Sequence, residues 1–321
     1  MMKSKVLMVL MAASICALSA HAGTVAYWRF EEGPAGAQVS HGGLPDGEFY
    51  PGVVDVSGSN NNLSVWNESW AGYVYSSDVA YSSVPLNGFE NNYSVKNSGG
   101  YPAMWTDSSS SISQMTPAAF TIEATFKLEN GGYKTIVGRD SRGSVTQGEN
   151  PNADLAALYF QTVPNNGLAI KFSDVSGYWH EAIAPENSYI GFDWGSDPDG
   201  LQAPWYSMAA VSDGETLSLY LIQIGSGEGW KLIAQTDLTA SGSPDTALTA
   251  GTGDGGDWDA GNWTVGRGLY AGGHGDRAYG FIDEVRISDS ALSVSEFLVP
   301  EPATLVLLGL GGLGLLKRRT R

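Results

Sequence analysis

Cysteine is almost absent from this 321-residue chain: Cys16 is its one copy, inside an apolar N-terminal segment. A body without thiols can use neither a cysteine nucleophile nor a disulfide, so its stability rests on its own core or on metal. Basic residues are scarce too. Of 17 Lys and Arg, six fall in the two ends, leaving 11 against 33 Asp and Glu between residues 23 and 298, a net of −22. That sign argues against nucleic acid as a partner and suits solubility outside a cell and capture of divalent cations. Long amphipathic helical patterns are missing, and no apolar run reaches the roughly 20 residues of a comfortable membrane span. The regular Thr ladders that a flat ice-binding face would need are not visible.

What is present begins at the ends. Lys3 and Lys5 precede the apolar segment Val6 to Leu18, and Ala20-His21-Ala22 stands before Gly23. This is the layout of a secretory signal peptide over residues 1–22, cut after Ala22. Cys16 follows Ile15, too bulky for a lipoprotein signal, and is a bystander in the discarded piece. At the other end, residues 299–321 hold Val299, Pro300, Glu301 and Pro302, then a 14-residue apolar run from Ala303 to Leu316. Lys317, Arg318, Arg319 and Arg321 follow, a basic cluster that keeps a C-terminus on the cytoplasmic side while the body is exported. The run is short and softened by Gly309, Gly311, Gly312 and Gly314, so it reads as a transient handle. These three unlike elements in this order resemble the PEP-CTERM sorting signal of Gram-negative bacteria, a tail also labelled an ice-binding-protein C-terminal motif. The resemblance implies transient inner-membrane insertion through a short transmembrane helix and an exosortase-type membrane peptidase as partner. It also implies a cut near Pro300 to Pro302 and delivery to the cell surface or extracellular matrix.

Between the ends lies one domain, residues 23–298, rich in Gly, Trp and Tyr and patterned for strands. Thr24 to Phe30 alternates Val25, Tyr27 and Arg29 against Ala26, Trp28 and Phe30. A long loop follows, with one short strand at Phe49 to Val54, and residues 65–119 hold short strands or insertions whose positions the pattern does not fix. From Phe120 the alternation sharpens. Phe120 to Leu128 predicts a strand with one buried face, and Gly131-Gly132 predicts a hairpin into Tyr133 to Arg139. Ala156 to Thr162, Gly167 to Asp174 and Ser207 to Val211 repeat the pattern, and Asp213-Gly214 turns the last into Leu217 to Ile224. Trp230 to Gln235, Asn262 to Gly266 and Gly280 to Ser288 complete the set, with a helical turn in Ser290 to Phe297. The expected fold is all-β, a sandwich or jelly roll.

Four segments then carry a second resemblance: Tyr27-Trp28-Arg29-Phe30-Glu31-Glu32-Gly33, Phe120-Thr121-Ile122-Glu123-Ala124, Trp205 to Gly214, and Gly280-Phe281-Ile282-Asp283-Glu284-Val285-Arg286-Ile287 before Ala291-Leu292-Ser293. In order and separation they look like a LamG-like, concanavalin A-type jelly roll of two antiparallel sheets. The resemblance covers nearly all of residues 24–298 and is weakest between Pro34 and Ala119.

Catalytic patterns are thin. Sugar hydrolysis on such a sandwich needs two carboxylates facing each other, whereas Glu123 is alone in its strand and Glu129 falls in the following turn. Asp283 and Glu284 are neighbours, which a regular strand sends to opposite faces, one as a ligand or structural contact and one as a surface charge. His41, His180 and His274 are scattered, without a nucleophile elbow. Calcium has three candidate places: Asp193, Asp197 and Asp199; Asp254, Asp257 and Asp259; and, from the resemblance, the meeting of first and last strands with Asp283 and the main chain near Glu32. For the two acidic loops, Asp-Gly turn chemistry with solvated carboxylates is the favoured reading over calcium. Trp179, Trp194, Trp258, Tyr270 and His274, among Asp, Asn and Gly, suit either sugar stacking or packing, while Trp28 and Trp263 belong to a core. The composite reading is an exported, non-catalytic surface or matrix protein that binds extracellular polysaccharide or acts in adhesion. A polysaccharide-acting enzyme and a purely structural surface protein are the alternatives. The intact mass of cell-derived protein should fit a chain running from Gly23 to about Pro300–Pro302; retention of residues 303–321 would exclude processing.

Overall fold

A computed structural model describes residues 23–39, 51–68, 71–97 and 99–300. The signal peptide with Ala22, His41, the apolar run and the basic residues Lys317, Arg318, Arg319 and Arg321 lie outside the described residues, as do Glu301 and Pro302.

Eighteen strands follow in chain order. The first six are β1 (Thr24–Trp28), β2 (Pro51–Val53), β3 (Leu63–Trp66), β4 (Tyr73–Ser76), β5 (Ser94–Asn97) and β6 (Ala103–Thr106). After a helical turn at Ser111–Gln114 come β7 (Phe120–Leu128), β8 (Lys134–Arg139), β9 (Leu158–Val163), β10 (Gly167–Ser173) and β11 (Trp179–Ile183). The rest are β12 (Tyr206–Ser212), β13 (Thr216–Gln223), β14 (Lys231–Asp237), β15 (Trp263–Val265), β16 (Gly268–Tyr270), β17 (Gly273–Gly275) and β18 (Gly280–Ser288). They form two antiparallel eight-stranded sheets. One runs β14-β13-β12-β7-β18-β5-β4 with β1 also on β18; the other runs β11-β10-β9-β8-β15-β6-β3-β2. This is a jelly-roll sandwich, with β16 and β17 as a separate hairpin.

Period-two side chains make the core. Ala26, Trp28 and Phe30 from β1 and its end meet Ile122, Ala124 and Phe126 of β7, and across the sandwich Leu158, Phe160, Ile170 and Phe172. Trp28 and Trp263 are both fully buried in it. Burying rings of this size supplies most of the stability that disulfides would otherwise add.

Two local expectations fail. Gly131 and Gly132, at φ +70° and +72°, do not make a hairpin. They carry the chain from one sheet to the other, since β7 pairs with β12 and β18 while β8 pairs with β9 and β15. Nor does β7 have one buried face. Every residue of β7 and β18 is buried, because loops cover the outer side of their sheet. On that outer side Phe192, Trp205 and Phe281 pack together, and residues 297–299 cross it farther along.

The reading of Asp283 and Glu284 as one inward and one surface charge is also corrected. Three steps along β18, from Asp283 to Arg286, match two along β7, from Thr125 to Glu123, so a β-bulge interrupts the alternation. It falls where β18 changes its other neighbour from β5 to β1. Glu284 sits there at φ +50°, and both carboxyls are buried. Glu284 accepts from Tyr27 Oη and from Arg29 Nε (3.1 Å) and Nη2 (3.0 Å), and Asp283 Oδ2 accepts from Asn91 Nδ2 at 2.8 Å. Burial is the main reason that the Asp283 carboxyl lies well above the usual range, with the Glu284 charge adding to it. Glu284 itself is pushed up to about 7 by burial, against the opposing pull of Arg29.

Because an unfolded Glu titrates near pH ~4.3, the folded state holds a proton on Glu284 that the unfolded chain releases between there and about pH 7. This contribution is complete below pH ~4.3 and is lost as pH rises through 7. Glu284→Gln should therefore gain stability relative to the native chain as pH rises from about 5 to 8. Urea midpoints across that range measure it, and parallel curves would refute it.

Candidate functional site

At the β9-β10-β11 end of the second sheet, Tyr159 and Gln161, Lys171, and Trp179 lie on the face turned away from the sandwich core. Over them stands the β16–β17 hairpin, paired Tyr270 with Gly273 and Leu269 with His274. Its two loop residues, Ala271 and Gly272, have φ of +54° and +75°, both positive, as a type I′ turn requires. Between sheet and hairpin lies a groove of about 670 Å³, within the range of small-ligand sites. Tyr133 and Leu155 close its flanks, and Tyr270, Gly273, His274 and Asp276 form the overhanging side.

Several contacts hold the hairpin in place. Leu269 packs on Ala156, Tyr159 and Trp258 in a small apolar cluster beneath it. Tyr159 Oη donates to Leu269 O, and Ala271 N donates to Asp154 O at 2.7 Å. Trp258 Nε1 donates to Gly272 O at 2.9 Å. Gly255 is needed at that point, since a Cβ there would lie 1.8 Å from the Trp258 ring nitrogen. At the hairpin's root, Arg267 donates to both oxygens of Asp140, Nη1 to Oδ1 at 2.9 Å and Nη2 to Oδ2 at 2.8 Å, with each side chain about 1% exposed.

The aromatic floor is ordered. Tyr159 and Trp179 meet edge to face with centroids 6.1 Å apart, while Tyr133 and Tyr270 are about half exposed. The groove's charges are mostly matched. Lys171 Nζ lies 3.5 Å from Glu181, and Arg142 at the rim lies 3.7 Å from Asp154. His274 is pushed down to about 4, by burial first and then by the nearby Arg267 charge, so its ring is neutral near pH 7. Burial raises the Asp276 carboxyl. Among the described lining residues Asp276 is the one carboxylate.

Of the five aromatic and His candidates, Trp179, Tyr270 and His274 come together in this groove. Trp258 lies beneath it as support. Trp194 is on the outer side of the other sheet, against Phe192, with Lys96 Nζ 5.7 Å from its ring centroid. Tyr133, Tyr159, Gln161, Lys171 and Asp276 were not singled out from sequence. The signal available for Tyr159 and Gln161 was their off-core phase in a strand read for its core face.

The acidic candidates do not assemble. Among the described residues no three His, Cys, Asp or Glu side chains are placed to hold a metal ion. Asp193 accepts from Gly195 N and Ser196 N, Asp197 from Leu201 N and Gln202 N, and Asp199 pairs with Lys96 at the surface. These are turn-forming bonds. Asp254 and Asp259 bridge across their loop, and Asp257 is 3.7 Å from His274. The Glu32 carboxylate accepts from Val54 N and Tyr75 Oη. Among the described residues Asp283 Oδ1 and Asn91 Oδ1 are buried without partners, and burial raises the Asp283 carboxyl. His180 is buried and donates from its ring to Asp174 at 2.8 Å.

Residues 298–321 match the family model described as the PEP-CTERM protein-sorting motif. The chain carries that motif. No curated protein sequence matches the chain. Among solved structures, HCR/D-Sa-GBL1/C is similar at TM-score 0.49 and 11% identity, over 90% of this chain and 52% of that one. The Ruminococcus gnavus IT-sialidase CBM40 bound to alpha2,3 sialyllactose is similar at TM-score 0.39 and 14% identity, over 58% and 82%. The NanB sialidase of Streptococcus pneumoniae is similar at TM-score 0.40 and 17% identity, over 60% and 25%. The chain thus spans about half the length of the first of these. No helix among the described residues is long and apolar enough to cross a membrane.

Asp140→Asn would leave Arg267 buried opposite an uncharged amide. Loss of about 3–5 kcal/mol is expected in urea unfolding, and a loss under about 1 kcal/mol would show that the pair does not anchor the hairpin.

Proposed function

We propose that the protein is exported, sorted through its tail to the cell surface or extracellular matrix, and binds a neutral glycan in the groove without transforming it. The observation that carries this reading is the groove itself: Trp179, Tyr270 and Tyr133 offer ring faces beside Gln161 and His274, the mixture that grips a sugar's apolar face and its hydroxyls together. A neutral ligand follows from the charges. Lys171 and Arg142 are each offset by a carboxylate, His274 is uncharged near pH 7, and the body carries a net of −22. A polyanion would meet repulsion at a distance and, among the described lining residues, no cation without a carboxylate partner. Binding without hydrolysis is supported by Asp276 being the one carboxylate among the described lining residues, since glycosidases use a facing pair of carboxyl groups.

On a glycan array the full body should retain neutral oligosaccharides in the presence of EDTA. Tyr270→Ala should weaken binding by about tenfold or more at unchanged thermal stability, and Trp179→Ala should weaken it as much with some loss of stability, because Trp179 also packs on Tyr159. Retention of acidic glycans alone would overturn the neutral-ligand assignment. Release of reducing ends would turn the reading to an enzyme, and no retention at all would favour a structural role.

A further inference from the structure

The first residues of the sorting motif are docked on the folded body. After β18 the chain makes a 3₁₀ turn at Val294–Glu296, closed by a capping box in which Ser293 and Glu296 bond reciprocally. Residues 297 to 300 are then buried on the outer side of the β14-to-β4 sheet. The Phe297 ring stands edge to face with Trp230 (centroids 5.0 Å apart) and Tyr220 (5.7 Å). Leu298 packs with Tyr27 and Val84. The main chain is held as well. Leu298 N donates to Glu123 Oε1 at 2.7 Å, Leu86 N donates to Leu298 O at 3.0 Å, and Trp230 Nε1 donates to Val299 O at 2.5 Å. Glu123 is itself buried and fixed by Arg286, which also donates to Glu296 O at 2.7 Å. The matched motif begins at residue 298, so its first three residues are part of the sandwich.

We infer that residues 297–300 are a detachable strap, and that the folded body restrains the cutting of its own tail until the strap lifts. The inference rests on the reading of the tail as a peptidase substrate. An endopeptidase binds several residues on the amino side of the bond it cuts as an extended segment with free main-chain groups. For any bond between Pro300 and Pro302, that segment includes Leu298, whose N–H and C=O are both engaged, and Val299, whose C=O is engaged, and both side chains are buried. The cut is a hydrolysis: water oxygen joins the carbonyl carbon, the C–N bond breaks, and the released nitrogen takes the proton. None of this reaches a docked strap. Cutting then follows the fraction of molecules in which Phe297 and Leu298 have left the sheet, as proteolysis of locally opened states does. After the cut, the shortened end can return to the same seat, because every contact named involves residues up to Val299.

The test uses full-length precursor in detergent, mixed with membrane vesicles carrying the sorting peptidase, and follows tail loss by intact mass. One variant inserts about eight Gly and Ser residues and a second copy of residues 298–300 between Pro300 and Glu301. It keeps the native strap docked and presents an unencumbered motif. Tail loss should be about tenfold faster or more than in the native chain. Phe297→Ala should also be cut faster, with circular dichroism confirming a folded body. Equal rates for the native and spacer chains would overturn the strap while leaving tail processing intact. Failure of both chains to be cut, in vesicles that process another tail of this kind, would overturn the processing reading and the strap with it.

Discussion

The buried bidentate pair between Arg267 and Asp140 is the contact on which the grooved end of the second sheet depends. It joins the end of β8 to the root of the β16–β17 hairpin, in a place that water does not reach. A fork of two parallel charge-assisted bonds fixes direction as well as distance, so the hairpin leaves the sheet at a set angle. Next to it Arg139 is buried without an acidic partner among the described residues. Its guanidinium donates to the main-chain oxygens of Thr249, Ser113 and Met115, and burial depresses it to about 9. Two adjacent residues thus tie three separate loops to one sheet end. In a body without disulfides, these polar knots do locally what a covalent bridge would do.

The general architecture was legible because a half-buried strand announces itself by period two. Phe120–Leu128 and Gly280–Ser288 were bounded to the residue, and the Asp213-Gly214 turn joined β12 to β13 as read. The strands between 63 and 106 were not placed, since four-residue strands are too short to show a period. Where the pattern misled, the cause was local. Gly131-Gly132 permits a hairpin and a sheet-to-sheet corner alike, and the choice is made by which sheet Tyr133 and its successors can cover. Asp283 and Glu284 could be split between faces only if β18 were regular. Its bulge comes from a change of neighbouring strand, which depends on β1 and β5, distant in sequence.

The groove was half visible for a related reason. Trp179, Tyr270 and His274 drew notice as aromatics among turn-forming residues. Tyr159, Gln161 and Lys171 looked like the ordinary solvent face of two strands. What makes that face special is the overhanging hairpin, and Ala271-Gly272 lacks the Asn-Gly or Asp-Gly signature that would have marked its turn. The acidic loops ran the other way: their spacing suggested a cage, while the main chain claims the oxygens of Asp193 and Asp197.

The two-residue turn at Ala271-Gly272 also bears on how this surface can diversify. A lip built from the tightest available turn, pinned at its root and along one side, has almost no slack to take up when a ligand arrives, so little affinity is lost to ordering it. It also leaves no room for the insertions by which loop-lined sites usually change their preferences. Descendants of this chain would alter what they hold by exchanging single side chains at positions 133, 179 and 270, with the outline of the groove inherited unchanged.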